Sequence, residues 1–502
     1  MTLRRKSLAL GSSAALAGGA TGASLLAMLM AATPAGAVGS TYYVDTLADG
    51  AANAADCINN IVDSCSLRDA LDAAADGDTI EFTSGLSGTI ALTHALDVDS
   101  GIVLRGPGAA NLTLNGGAID RIFYINQSGS DLTIEGLTIT GGSSAAGGGI
   151  LDNSVADLTL ENVVVTGNTS SGNGGGVFSV GSISIIDSLI SDNSNATYGG
   201  AGVYVLGDLT MSGTVISGNT ATTGGGGGVQ SFGDVSITTS TFENNVADVA
   251  GGGLYTGVSH GTITITDSTF SNNSASGVYG GGIDIDGNYN TVLIANSTIS
   301  GNSSYRGGGI HIDYANSVML AQDTIVGNEA TNSDALYTGG GIHFADYNVS
   351  LELSGAIVSG NTAAAGPADI GFGRPASLMG FFSANNSVLG DLDSRLSVIG
   401  ANNVSSTAPG VGALTDNGGL TKTMALLPGS AAIDAGPSAI QTFTGNAYDQ
   451  RGAGFARVVG IRADIGAFEV QPEPPATTTT TAPPATTTTV ASDEPVIPAF
   501  TG

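Results

Sequence analysis

The chain has 502 residues, among them 78 glycines and no tryptophan; 41% are hydrophobic, 5% aromatic, and 13 basic side chains face 43 acidic ones. A polymer this acidic repels phosphate, which argues against nucleic acid as a partner, and its hydrophobic share argues against a disordered polyanion. Composition therefore speaks more plainly about architecture than about activity.

At the start, Arg4, Arg5 and Lys6 precede an apolar stretch from Leu8 to Ala32, and Ala35-Gly36-Ala37 supplies the small residues a signal peptidase accepts. Residues 1–37 are expected to be a cleaved export signal, leaving 10 basic against 43 acidic residues. No later apolar run is long enough to span a bilayer, so the mature chain is expected to be secreted or held at a cell surface or wall, without a transmembrane span. Next, Ser66-Leu67-Arg68-Asp69 reads as a capping box. Leu67, Ala70, Leu71 and Ala74 form one apolar helical face, and Gly77 sits where a C-cap glycine belongs. This predicts a short helix covering the N-terminal end of whatever follows. Cys57 and Cys65 are the only cysteines, and in an exported chain they are expected to form a disulfide.

A repeat fills the middle of the chain. An apolar residue, two variable ones and an asparagine recur, ending at Asn168, Asn193, Asn219, Asn245, Asn273, Asn302, Asn328 and Asn361, most of them 25 to 29 residues apart. Each of the first seven is followed by a glycine cluster and a short strand, as in Gly174-Gly175-Gly176-Val177 and Gly307-Gly308-Gly309-Ile310. Three short alternating strands per repeat, with glycine and asparagine at the bends and no helical periodicity, predict an all-β fold. The architecture expected is a right-handed, single-stranded parallel β-helix. Eleven to thirteen rungs at roughly 4.8 Å each would make a rod about 55 Å long, with asparagines bonding their counterparts above and below. The C-terminal stretch alternates prolines with the threonine runs Thr477 to Thr481 and Thr486 to Thr489, a composition expected to remain a disordered spacer over 471–502.

Three sets of motifs carry a family likeness. Tyr42-Tyr43-Val44-Asp45-Thr46, Cys65-Ser66-Leu67-Arg68-Asp69-Ala70 and Gly77-Asp78-Thr79-Ile80-Glu81-Phe82 resemble the CSLREA domain of bacterial secreted β-helix proteins, with Asp69 in place of the eponymous glutamate. The repeats resemble those of polymorphic outer-membrane proteins and pectin-lyase-like solenoids. Asp416-Asn417-Gly418-Gly419, Leu427-Pro428-Gly429-Ser430, Asp449-Gln450-Arg451-Gly452 and Asp464-Ile465-Gly466-Ala467-Phe468-Glu469 are similar to the choice-of-anchor Q domain. The likeness implies a cap and first coils over 38–135, glycine-rich coils over 136–410, and a C-terminal cap over 411–470 that closes the solenoid. It implies no reaction, because fold does not dictate chemistry.

A candidate site follows from strand alternation. The residue after the first apolar position of each post-glycine strand is expected to face solvent, giving a column of Phe178, Tyr204, Gln230, Tyr255, Asp284, His311 and His343. Asp286 and Asp313 occupy the next outward position, and Asp346 lies close by. Tyr204, Tyr255, His311, His343 and Asp346 are the expected contacts for a polysaccharide or cell-surface glycan. Asp284, Asp286 and Asp313 are the carboxylates a hydrolase or lyase would use, assisted by His311 or Arg306. The competing reading is that outward positions are polar simply because the chain is acidic. No cofactor is expected; Asp284-Ile285-Asp286-Gly287-Asn288 gathers oxygens suited to Ca²⁺ but, lacking the spacing of an EF-hand and the nonapeptide calcium repeats, reads better as a solvated turn. The leading expectation is a surface rod for adhesion or glycan binding without catalysis.

Overall fold

The computed structural model describes residues 39–58, 64–126, 130–334, 338–345, 349–373, 381–440 and 447–472. The expected export signal, Asp346 and the tail from 473 onward lie outside the described residues.

Alternation of apolar and polar residues drives each strand: in Leu158–Glu161 the two leucines are buried while Thr159 and Glu161 stay partly exposed. Such strands stack rung on rung into four parallel sheets. Sheet 1 has 13 strands, from Thr41–Val44 to Phe382–Asn385, and sheet 2 has 13, from Gly88–Ala91 to Val404–Ser405. Sheet 3 has 9, from Ser143–Ser144 to Thr362–Ala363, and sheet 4 has 11, from Leu96–Val98 to Ile370–Phe372. The parallel β-helix is thus as expected, with one correction: from Ser143 to Ala363 a rung has four strands, not three. The additional strand, sheet 3, is mostly two residues long, as at Thr169–Ser170 and Thr220–Ala221, too short to display an alternation.

Inside, identical positions superpose. Val177, Val203, Val229, Leu254, Ile283, Ile310 and Ile342 pair in register and are completely buried. Each such side chain contributes about 1.5–3 kcal/mol of apolar burial. Phe242 and Phe270 stack in the same core with ring centroids 4.4 Å apart. The asparagines form the expected ladder: from Asn168 to Asn328, each Nδ2 donates to the Oδ1 of the next asparagine at 2.9–3.0 Å. Asn361 ends the series on the Asp369 carboxylate at 2.8 Å. The glycine clusters are needed where rungs touch, since a Cβ on Gly175 would lie 2.4 Å from the Ser194 carbonyl oxygen.

At the N-terminal end sit two short helices, α1 (Ala54–Ile58) and α2 (Leu67–Ala73), the latter opened by the expected capping box between Ser66 and Asp69. Leu67 and Ala70 are buried, and Leu71 and Ala74 pack partly buried against the core. The helix stops earlier than Gly77: Ala74 is the cap, in an extended conformation, because the Asp78 carboxylate captures the Ala75 N–H at 2.9 Å. Cys57 and Cys65 form the expected disulfide.

Residues 411–470 depart further from expectation. Their only regular structure among the described residues is an antiparallel pair, Val411–Thr415 with Thr423–Leu426, and the segment runs back along the flank of sheet 2 as a strap. Lys422 pairs with Glu243, Gln450 bonds Thr298, Arg457 bonds Asn296, and the Ala467 N–H donates to Thr324. At the last rungs the core is instead covered by the partly buried Leu392, Leu396 and Val398. The strap is held to the flank by these polar bonds and by an apolar cluster in which Met424, Leu426, Ala432 and Ile465 pack with Val326, Ile357 and Val388 of sheet 2.

Candidate functional site

Sheet 4 carries the column with the expected register: Phe178, Tyr204, Gln230, Tyr255, Asp284, His311 and His343 pair rung to rung. Its first half is half-buried and aromatic. The Phe178 and Tyr204 rings stack 5.2 Å apart with planes 6° from parallel, and Phe232 continues the contact to Tyr204 at 5.5 Å and to Tyr255 at 6.3 Å. Phe232 was not foreseen, because it lies in the turn two residues beyond the column. The Tyr255 hydroxyl donates to Asp286 at 3.1 Å, and burial with the Asp284 and Asp286 charges nearby pushes its pKa up.

The second half corrects the expectation of a solvent-facing column: Asp284, His311 and His343 are at most 1% exposed. Their side chains point away from the interior of the coil, but a neighbouring element covers them. Ser274–Tyr279 is a six-residue strand of sheet 3 whose pairing with Ser303–Arg306 shifts register between Ala275 and Tyr279. That irregularity lays the Tyr279 ring on His311, centroids 4.2 Å apart, and the Arg306 guanidinium over Tyr279 at 5.6 Å. The sequence signal was present in the large residues just before Gly280 and Gly307, where other rungs hold Asn173 or Ala250.

Beneath this cover, Asp284 Oδ1 and His311 Nδ1 are 2.7 Å apart. Burial, aided by the Asp286 charge, pushes the Asp284 carboxyl well above its usual range, and burial lowers His311 to about 3. Both shifts disfavour charge on the pair, so burial favours a carboxyl and an imidazole sharing one proton over an ion pair. His311 stacks in turn on His343 at 5.2 Å, and burial holds His343 neutral as well. His311 Nε2 and both ring nitrogens of His343 have no hydrogen-bond partner.

The expected carboxylates have different partners, though Asp286 lies near enough for its charge to raise Asp284. Asp284 turns to His311 and Asp286 to Tyr255, while Asp313, on the next rung, is half-buried with its N–H donating to Ile285. Among the described residues no group of three or more His, Cys, Asp or Glu side chains is arranged to hold a metal ion. No helix among them is long and apolar enough to cross a membrane.

Comparison with known proteins matches residues 121–288 to the family model for a right-handed β-helix region. No curated protein matches the chain. Among solved structures it is similar to the pectate lyase Pel9A, 15% identical over 86% of this chain and 96% of that one, with a TM-score of 0.44. It is also similar to a mannuronic-acid-specific polysaccharide family 6 lyase from human gut microbiota, 12% identical over 72% and 91% of the two chains, with a TM-score of 0.35. Residues 121–288 are a right-handed β-helix region, and the rungs on either side extend it in unbroken parallel register.

Proposed function

We propose that this protein is an exported, surface-associated rod that binds polysaccharide lengthwise and does not cleave it. The observation that carries this reading is the half-exposed aromatic file Phe178, Tyr204, Phe232 and Tyr255, which offers ring surface on successive rungs while the acid–imidazole half is sealed. Rings held by their neighbours bind with little further loss of rotamer freedom. Export is supported by the signal-like residues 1–37 and by the Cys57–Cys65 disulfide, which persists where thiols are oxidised.

One observation favours a second reading, a hydrolase or lyase: the Asp284 carboxyl, pushed toward its neutral form by burial and set against His311, has the chemistry of a general acid. The test is to incubate the full chain with plant, microbial and host polysaccharides and to record both bound protein and newly formed chain ends. Binding without new chain ends, weakened by Tyr204→Ala, is the expected result. Chain ends that appear and then vanish in Asp284→Asn, as well as in Asp286→Ala and Asp313→Ala, would establish the enzyme instead. If no polysaccharide is bound or cut, both readings fall.

A further inference from the structure

Gln450 reaches from the strap into sheet 2 and is buried there among three threonines, Thr269 and Thr298 of the sheet and Thr421 of the strap, all of them buried as well. Its backbone is fixed on both sides: the Gln450 N–H donates to the Ala467 carbonyl at 3.0 Å, and the flanking Asp449 and Arg451 pair at 2.6 Å. The Thr298 hydroxyl donates to Gln450 Oε1 at 2.5 Å, the close end of the O–H···O range. The carbonyl carbon Cδ lies one bond behind that oxygen, and the terminal torsion of a glutamine is soft enough to turn it toward the hydroxyl.

The nitrogen of the same amide is over-supplied with acceptors. Nε2 has two hydrogens to give, yet four oxygens surround it: Thr269 Oγ1 at 2.8 Å, Thr421 Oγ1 at 3.0 Å, the Ser268 carbonyl at 3.1 Å and the Lys422 carbonyl at 3.3 Å. Both hydroxyls have given their own hydrogens elsewhere, Thr269 to the Lys422 carbonyl at 2.7 Å and Thr421 to the Asp267 carbonyl at 3.1 Å. The lone pairs gathered here exceed what an amide at rest can use. They suit a nitrogen that gains a hydrogen as it leaves, because the added N–H finds an acceptor already in place.

A proton acceptor and an exit for ammonia lie alongside. Gln450 and Asp267 both line a solvent-open cleft of about 510 Å³ beside sheet 2. Burial raises the Asp267 carboxyl to about 6, so at neutral pH it is ionised and a stronger base than an ordinary aspartate. The geometry points to an intramolecular ester between Thr298 and Gln450 that locks the strap to the solenoid. Thr298 Oγ1 attacks Cδ of Gln450 while its proton passes through cleft water to Asp267; the Oγ1–Cδ bond forms, the Cδ–Nε2 bond breaks, and Nε2 takes that proton and departs as ammonia. No oxidant, reductant or further reactant enters. The fold replaces a bimolecular encounter by holding both groups together, and ammonia that is protonated and diluted in solvent draws the exchange forward.

The test is the intact mass of the full chain with its disulfide reduced, followed from fresh synthesis until it no longer changes, and then tandem mass spectrometry of a digest. The expected result is a chain one ammonia lighter than the sequence from its measured N-terminus, with a branched peptide that joins Thr298 to Gln450 and is cleaved by hydroxylamine. Thr298→Ser keeps the nucleophile and should keep the loss, whereas Thr298→Val keeps the shape without the hydroxyl and should retain the full mass. Asp267→Asn should slow the loss by about tenfold or more. A native chain that stays at full mass, with Gln450 recovered as free glutamine, would overturn the ester. A branch from Thr269 or Thr421 would overturn Thr298 as the nucleophile, and an unchanged rate in Asp267→Asn would overturn the assignment of the base.

Discussion

A buried imidazole without a hydrogen-bond partner costs about 1–3 kcal/mol, and His343 has two unpartnered ring nitrogens, offset in part by its stack on His311. His343→Phe keeps the ring and removes both nitrogens, so it is expected to stabilise the fold by about 1–2 kcal/mol at pH 7. The sign with pH follows from burial, which holds His343 well below its ordinary value. Below pH 6.5 the unfolded chain takes up a proton that the folded one refuses, so the native protein loses stability as pH falls. The loss is about 1.4 kcal/mol per pH unit for each such histidine. The gap between variant and native protein should therefore widen from pH 7 to pH 5, read by chemical denaturation; a constant gap would mean that His343 binds its proton equally well in the folded and the unfolded chain. Strand alternation was enough to orient this column, since direction depends only on neighbouring residues along the chain. Its burial was not legible, because Tyr279 and Arg306 come from other strands and reach the column only through a shift in register.

The asparagine ladder is the element most directly written in the sequence. Its spacing follows from one left-handed residue before each asparagine, such as Gly218 at φ 64° or Asn244 at φ 58°. Repeating that turn on every rung places each side-chain oxygen under both the N–H and the Nδ2 of the asparagine before it. Asn245→Ala removes the acceptor for Asn219 and the donor to Asn273, and is expected to cost about 3 kcal/mol with nearby rungs losing amide-exchange protection first. A loss under about 1 kcal/mol would show that water replaces the missing amide. The capping box of α2 was equally legible, being local in sequence. Its end was not, since the Asp78 side chain competes for the chain there. The strands of sheet 3 escaped notice for a different reason: two residues cannot show a period of two.

Over the whole molecule, the strap is held by a buried polar network. Arg457, fully buried, bonds Asn296 on the solenoid and Glu469 at 3.3 Å within the strap. Arg457→Met would leave Glu469 and the nearby Asp464 without their buried cation, at about 3–5 kcal/mol. The expected outcome is proteolysis within 411–470 while the β signal of the rungs persists; unchanged resistance would mean that the strap is held by its apolar contacts alone. Burial raises Asp267 to about 6 and Glu469 to about 7, so the folded state holds these protons more tightly than the unfolded one. That contribution is full below the ordinary carboxyl range and is lost as pH rises through 6 and 7. The strap should then exchange its amide hydrogens more readily at pH 8 than at pH 5.5, once intrinsic rates are removed. The sequence by itself determined the coil, its apolar interior, the ladder, the disulfide pair and the acidic surface, because each depends on composition or on a spacing that recurs every rung. Only the tertiary structure decided which outward residues are covered, and that the last 60 residues of the fold lie on the flank rather than over the end. The first depends on Tyr279 meeting His311 through a shift in register, and the second on side chains more than 100 residues apart meeting on one surface, as Asn296 and Arg457 do; no periodic pattern encodes either.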